Sequence, residues 1–343
     1  MNLSLAAAAL TAGTSLAAAR DLTVTSWGGA YQDAQKEVYF EPFRKQTGIR
    51  LIDESWDGGI GVLRTQVQGG NANWDVVQVE SEELEVGCDE GLFETLDFAR
   101  IGGKERYITE AVHPCGVGAI VYNFVLGYDR DKVKDAPKTW ADFFDTRKYP
   151  GKRALRQGPK TNLEIALMAD GVPPGQVYEV LKTNEGVDRA FRKLDSIKKD
   201  LIFWKSGAQP PQLLASGEVL FTSVYNGRID AANRNDKRNF GIVWNQSLFT
   251  IDSWVILKGS PNTENAYKLI DFMGRAENQS KLPLKIAYGV TNKDANKDIP
   301  PERLKDLPTS EENFRGTIEV SSEFWLENID RLNERFSKWA ATQ

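Results

Sequence analysis

The sequence predicts an α/β protein built on mostly parallel sheet, with room for two domains. Three observations carry this. Strand-like and helix-like segments alternate from residue 22 to residue 79. The links between them are short and carry glycine, as strand–helix–strand units with right-handed crossovers do. The chain has 343 residues, and a domain typically takes roughly 100–200.

The elements follow in order. Leu22-Thr23-Val24-Thr25-Ser26-Trp27 alternates and is rich in β-formers, which makes it a strand that Gly28-Gly29 breaks. Residues 31–45 read as a helix through Val38, Phe40 and Phe43, stopped by Gly48. Ile49-Arg50-Leu51-Ile52 is the next strand. Ile60, Val62, Leu63 and Val67 mark a short helix ended by Gly69-Gly70, and Trp74-Asp75-Val76-Val77-Gln78-Val79 is the third strand. Parallel sheets bind ligands at the carboxyl ends of their strands. Here those ends read Trp27-Gly28-Gly29, Ser55-Trp56-Asp57-Gly58 and Glu80-Ser81. A strand is expected over 116–123, then a helix at Trp140 behind a capping Thr139. A second α/β stretch follows: Arg153-Ala154-Leu155, helices over 163–169, 177–181 and 187–197, and the apolar runs Val219-Leu220-Phe221 and Gly241-Ile242-Val243-Trp244. Ser253-Trp254-Val255-Ile256-Leu257 is a strand before a helix over 264–273. An amphipathic helix over 322–340 closes the chain through Phe324, Trp325, Ile329, Leu332 and Phe336.

Composition narrows the function. Hydrophobic residues make up 41% and charged residues 27%, as in a globular protein, and the net charge of −5 does not suit a nucleic-acid phosphate binder. The single His113 cannot form a zinc-binding His pair and lies beside Pro114, away from any Gly-x-Ser-x-Gly elbow. No metal or cofactor motif is present, and Gly58-Gly59-Ile60-Gly61 lacks phosphate-loop spacing. Residues 1–19 are small, apolar and uncharged and end in Leu16-Ala17-Ala18-Ala19, which reads as the remnant of a secretory signal peptide without its basic start. In an exported protein Cys88 and Cys115 are free to pair. Without Cys-x-x-Cys spacing the bond would be structural; the alternative is two separate buried thiols.

Seven short segments, read in order, resemble the spermidine/putrescine-binding family of periplasmic solute-binding proteins that serve ABC importers. They are Thr25-Ser26-Trp27-Gly28-Gly29-Ala30-Tyr31, Trp74-Asp75-Val76-Val77, Thr139-Trp140-Ala141-Asp142-Phe143, Tyr149-Pro150-Gly151-Lys152-Arg153, Val224-Tyr225-Asn226-Gly227-Arg228, Ile251-Asp252-Ser253-Trp254 and Tyr288-Gly289. The resemblance implies a type II-like two-lobe fold with the ligand between lobes. One lobe would be 20–122 plus 251–292 and the other 123–250 plus 293–343, with crossings near Tyr122-Asn123 and Phe249-Thr250-Ile251. It further implies a periplasmic, monomeric, non-enzymatic receptor that closes on a small amine and hands it to a membrane permease, with no cofactor. An enzyme or a chemosensor on the same scaffold is the competing class.

The resemblance makes Trp27, Tyr31, Tyr225 and Tyr288 aromatic walls for an alkylammonium, which an aromatic face attracts, and Asp252 the carboxylate that holds the amine. Glu80, at the third strand end with Ser81, offers a second acid or starts a helix. The departure from polyamine binders lies in Arg156-Gln157-Gly158-Pro159-Lys160-Thr161-Asn162, which is basic where those proteins carry acids. Arg228 suits a carboxylate, and so does a helix start at Asn162. Ser206 and Gln209 are candidates for hydroxyl or amide contacts. The expected ligand therefore bears an amine and a carboxylate: an amino acid derivative, an opine such as a mannopine-type conjugate, or γ-aminobutyrate. A plain polyamine is the alternative.

Overall fold

The computed structural model describes residues 20–69 and 73–342; the leader expected over 1–19 lies outside them. Ten strands form one mixed sheet: β1 (Leu22–Ser26), β2 (Leu51–Ser55), β3 (Val76–Val79), β4 (Val112–His113), β5 (Gly116–Asp129), β6 (Arg153–Arg156), β7 (Leu201–Trp204), β8 (Phe221–Tyr225), β9 (Phe240–Ile256) and β10 (Ile318–Glu319). The order along the sheet is β2-β1-β3-β9-β5-β8-β6-β7, with β4 beside β5 and β10 beside β9.

Two parallel trios flank two long antiparallel strands. β1 pairs in parallel with β2 and β3, and β6 with β7 and β8. Between them β5 and β9 pair antiparallel, with a register shift between Phe124 and Leu126. The last β3 pair is Val79 with Ser253, and the last β8 pair is Tyr225 with Phe124. Both trios therefore point their carboxyl ends at the middle of the β5–β9 ladder. That places one cleft at six strand ends, twice the number the sequence reading supplied.

Residues 22–79 fold much as expected. The first helix runs as Gly29–Gln35, a π-helical segment Lys36–Phe40 and Glu41–Thr47. Pro42 has no amide to donate and its ring crowds the Val38 carbonyl, so the preceding turn widens and the Glu41 amide reaches back to Lys36 O. One expectation needed correction and one strand had no counterpart in the sequence reading. The runs at 241–244 and 253–257 are one seventeen-residue strand, bulged where Gln246 adopts a positive φ of 65° and accepts Trp140 Nε1 on its carbonyl. Leu201–Trp204, too short to betray a period, is an edge strand completed by pairing with β6.

The main core spans both trios and buries Trp140, Trp204 and Trp325 completely or nearly so. A smaller core under the first trio gathers Trp56, Trp74, Val77 and Leu84 around Cys115. Cys88 and Cys115 are bonded, with Cα atoms 5.7 Å apart. No helix among the described residues is long and apolar enough to cross a membrane.

Candidate functional site

At the meeting of the strand ends lies a narrow cavity. Its wall is assembled from β1 (Trp27), β2 (Trp56, Asp57), β3 (Glu80), β6 (Arg156), β7 (Lys205) and β8 (Tyr225), together with Ile120 and Tyr122 from β5, Asp252 from β9, and Tyr31, Arg228 and Tyr288. Asp57 and Lys205 are exposed at the rim, whereas Tyr31, Glu80, Asp252 and Tyr288 are buried.

Trp27 stacks on Trp56 at 5.2 Å, and the Trp56 indole N–H is fixed by donating to Gln78 O at 3.1 Å. Tyr31 meets Tyr288 edge-on at 5.1 Å, and Tyr122 meets Tyr225 at 5.3 Å. Offset and edge-on contacts lock these rings into a preformed box.

Asp252 sits in the box. It holds one oxygen, Oδ2, against Gln78 Nε2 at 3.3 Å. Gln78 Oε1 in turn accepts from Tyr31 OH and Gln35 Nε2. The other oxygen, Oδ1, is buried and finds no hydrogen-bond partner among the described residues. Burial and the nearby Glu80 charge raise the Asp252 carboxyl well above the ordinary range, against the opposing pull of Tyr122 and Lys160. Burial likewise pushes the Tyr288 phenol up to about 12.

Arg228 lies on the helix Asn226–Asn235, which starts at the end of β8. Its Nη1 donates to Gly28 O at 2.9 Å and its Nη2 to Trp27 O at 3.1 Å, so it bridges the two trios. Gly28 and Gly29 both have positive φ, and a Cβ on Gly29 would lie 2.9 Å from Arg228 Nη1. Only glycine serves this turn without strain or collision. Arg228 Nε and Trp27 Nε1 are buried donors without a partner among the described residues.

A second bridge crosses the cleft at Glu80. Arg156 Nη1 donates to Glu80 Oε2 at 3.0 Å and is ion-paired with Oε1 at 2.8 Å. Lys160 Nζ also bonds Glu80, and it reaches Glu82 as well. Burial alone would raise the Glu80 carboxyl, but the Arg156 and Lys160 charges outweigh it and hold the group below its usual value. Burial and the charges on Glu80 and Glu82 push the Glu83 carboxyl up to about 8, while its oxygens accept the Gly59 and Glu80 amides.

Seven of the ten binding residues expected from the sequence therefore line one cavity: Trp27, Tyr31, Glu80, Tyr225, Arg228, Asp252 and Tyr288. Three do not. Ser81 begins the helix Ser81–Asp89 and its hydroxyl accepts from Thr250 at 3.3 Å. Asn162 is buried and its amide donates to the Arg156 and Gly158 carbonyls, so it shapes the turn ahead of its helix. Ser206 sits in a turn whose amides are capped by Gln209. Glu80 is both a wall residue and the N-cap of Ser81–Asp89. Among wall residues the sequence reading did not nominate, Trp56, Asp57 and Arg156 had a signal, strand-end position or the basic stretch. Tyr122, Ile120 and Lys205 had none. No group of three or more His, Cys, Asp or Glu side chains among the described residues is arranged to hold a metal ion.

A two-trio sheet with a cleft at opposed strand ends is matched by a family model, bacterial extracellular solute-binding protein, over residues 38–309. The chain belongs to that family. Among its relatives, the gamma-aminobutyric acid-binding protein of Pseudomonas aeruginosa is 42% identical over 325 residues, covering 95% of this chain and 92% of the relative. The spermidine/putrescine-binding periplasmic protein of Escherichia coli stands further off, 24% identical over 280 residues, or 78% and 77% of the two chains. Two solved structures share the fold over 94% of this chain. One is the periplasmic binding protein MotA of Agrobacterium tumefaciens B6 in complex with glucopine, with a TM-score of 0.88, 30% identity and all of that chain covered. The other is the Atu4243-GABA receptor, with a TM-score of 0.82, 36% identity and 98% of that chain covered. The solute-binding class and the two-lobe α/β architecture expected from the sequence both hold.

Proposed function

We propose that this protein is a periplasmic receptor for a small amino acid carrying its amine and carboxylate at opposite ends, of the γ-aminobutyrate class, which it delivers to an ABC permease. One observation carries the reading. Asp252, Arg228 and Trp27 line one cavity, and each keeps a buried polar atom, Asp252 Oδ1, Arg228 Nε and Trp27 Nε1, without a hydrogen-bond partner among the described residues. Buried polar groups are normally hydrogen-bonded. A ligand ammonium satisfies the first and a ligand carboxylate the other two, while the Tyr and Trp faces pack its methylenes and favour its cation.

Of the other acids in the wall, Glu80 is already bonded by Arg156 and Lys160 and Asp57 stands at the exposed rim, so Asp252 is the one buried acid of the wall left open to an amine. This favours an amino acid over putrescine or spermidine. The relative that binds gamma-aminobutyric acid supports the same class.

In this reading residues 20–122 plus 251–292 form one lobe and 123–250 plus 293–343 the other. The lobes hinge where β5 and β9 cross, and Arg228 and Arg156 reach over the cleft to hold the closed form. The receptor acts as a monomer and releases its ligand unchanged, since the wall has no nucleophile paired with a base. Differential affinity for the closed form drives closure.

Calorimetric titration tests the reading. γ-Aminobutyrate should bind and putrescine should bind far more weakly. At about 100 times its dissociation constant the ligand should add roughly 2.7 kcal/mol to apparent stability. Tighter binding of putrescine than of γ-aminobutyrate would refute the amino acid assignment.

A further inference from the structure

Beside the ligand cavity lies a second, outer chamber that is open to solvent. It runs past Gly58 and Gly59 to Lys160 and to Ile329 and Asn333 of the C-terminal helix Ser322–Ala340. The two chambers share three residues, Asp57, Glu80 and Arg156. Their chemistry differs. The inner chamber is walled by Trp and Tyr rings, while the outer one has no aromatic lining and carries Glu82, Glu83 and Lys160.

We propose that the Glu80–Arg156–Lys160 ion bridge is the end wall of the ligand chamber and sets the length of the ligand. The inference rests on the amino acid reading above and names its selectivity. Three facts make the bridge a wall rather than a ligand contact. Both Glu80 oxygens are taken by Arg156, and one also by Lys160. Lys160 is further committed to Glu82. Glu80 and Lys160 are only 3% and 6% exposed, so a ligand that reached them would have to pull apart a desolvated pair. Separating such a pair leaves an uncompensated buried charge, whereas the intact pair adds little net stability. Its presence is therefore better explained by what it excludes.

The bridge also joins opposite sides of the cleft. Glu80 directly follows β3 in the first trio, and Arg156 ends β6 in the second. The wall is complete only when the two sides meet, so ligand length is checked during closure. A γ-amino acid leaves room for the bridge to form. A longer ω-amino acid projects between Glu80 and Arg156 and holds them apart.

The test is a length series of ω-amino acids, 4-aminobutyrate, 6-aminohexanoate and 8-aminooctanoate, titrated into the natural protein and into the double variant Glu80→Ala/Arg156→Ala. The double change removes one charge of each sign and leaves Lys160 paired with Glu82. In the natural protein affinity should fall at least about tenfold from the shortest to the longest member. In the variant the inner and outer chambers merge, and that ratio should shrink at least about tenfold. An unchanged ratio in the folded variant overturns the wall. So does equal affinity for the shortest and longest members in the natural protein, a measurement that does not depend on the variant folding. If the natural protein binds no member of the series, the amino acid reading itself fails and this inference falls with it.

Discussion

At the residue scale, the proposed function gives Asp252 and Arg228 the ligand's two poles, and the two should fail differently. Asp252→Asn removes the charge but keeps the shape, and should weaken γ-aminobutyrate by roughly 2–5 kcal/mol in titration calorimetry while leaving the melting temperature nearly unchanged. The same variant tests the acid's titration. Because burial and Glu80 raise the Asp252 carboxyl, it is protonated at pH values where an ordinary Asp is ionised. Affinity for an ammonium ligand should therefore fall as pH drops through that raised value, and the slope should vanish in Asp252→Asn. Arg228 has a double duty that its sequence context did not reveal. It clasps Trp27 and Gly28 across the cleft as well as offering Nε to the cavity. Arg228→Ala should thus weaken every ligand through loss of the clasp, and carboxylated ligands the most. Equal losses for γ-aminobutyrate and for a monoamine of the same length without a carboxylate would remove Arg228 from the carboxylate site.

At the element scale, two connections outside the cavity set stability. Glu164, on the helix Asn162–Ala169, is fully buried and accepts from Tyr178 OH at 2.9 Å and from Trp325 Nε1 at 2.8 Å. Burial raises it from 4.5 to about 7. A carboxyl with a raised folded pKa contributes stability that is whole below its unfolded value and is lost as pH rises through the folded one. The window here is pH 4.5 to about 7, and the loss is at most on the order of 3 kcal/mol. Glu164→Gln keeps an acceptor for both donors and cannot ionise. Denaturation at pH 5 and pH 8 should show a smaller drop for the variant than for the natural protein. The disulfide is the second connection. It ties the helix Ser81–Asp89 to the start of β5 beside Leu84 and Val77. Cys88→Ser/Cys115→Ser should lower unfolding stability by roughly 2–4 kcal/mol. Because Glu80 caps that helix, the variant should also loosen the bridge to Arg156, which appears as weaker ligand binding.

At the scale of the whole molecule, the cleft is held shut by long polar side chains rather than by an apolar seam. Arg228, Arg156 and Lys160 all reach over it from the second trio's side. If such contacts are exchanged for water when the cleft opens, a small ligand should be able to shift the balance. Small-angle X-ray scattering with and without γ-aminobutyrate should report a smaller radius of gyration in the bound protein. No change at saturation would refute hinge closure.

The sequence by itself determined the class of the fold and the pairing partners available to its two cysteines, and the family resemblance nominated Asp252 for an amine. The fold class depends on local signals: alternation in Leu22–Ser26 and the glycines after β1. The sequence also flagged the basic stretch around Arg156, the departure that points away from polyamines. The tertiary structure alone decided which charges are free. Glu80 looks like a ligand acid in sequence and is bonded to Arg156 and Lys160 in space, and Tyr122 reads as one more apolar-strand residue until β5 turns it into the cavity. The physical reason is range. A periodic pattern is set by neighbours a few residues apart, whereas the charge state and exposure of a buried group are set by partners some 80 positions away in the chain, brought near only when both halves of the sheet meet.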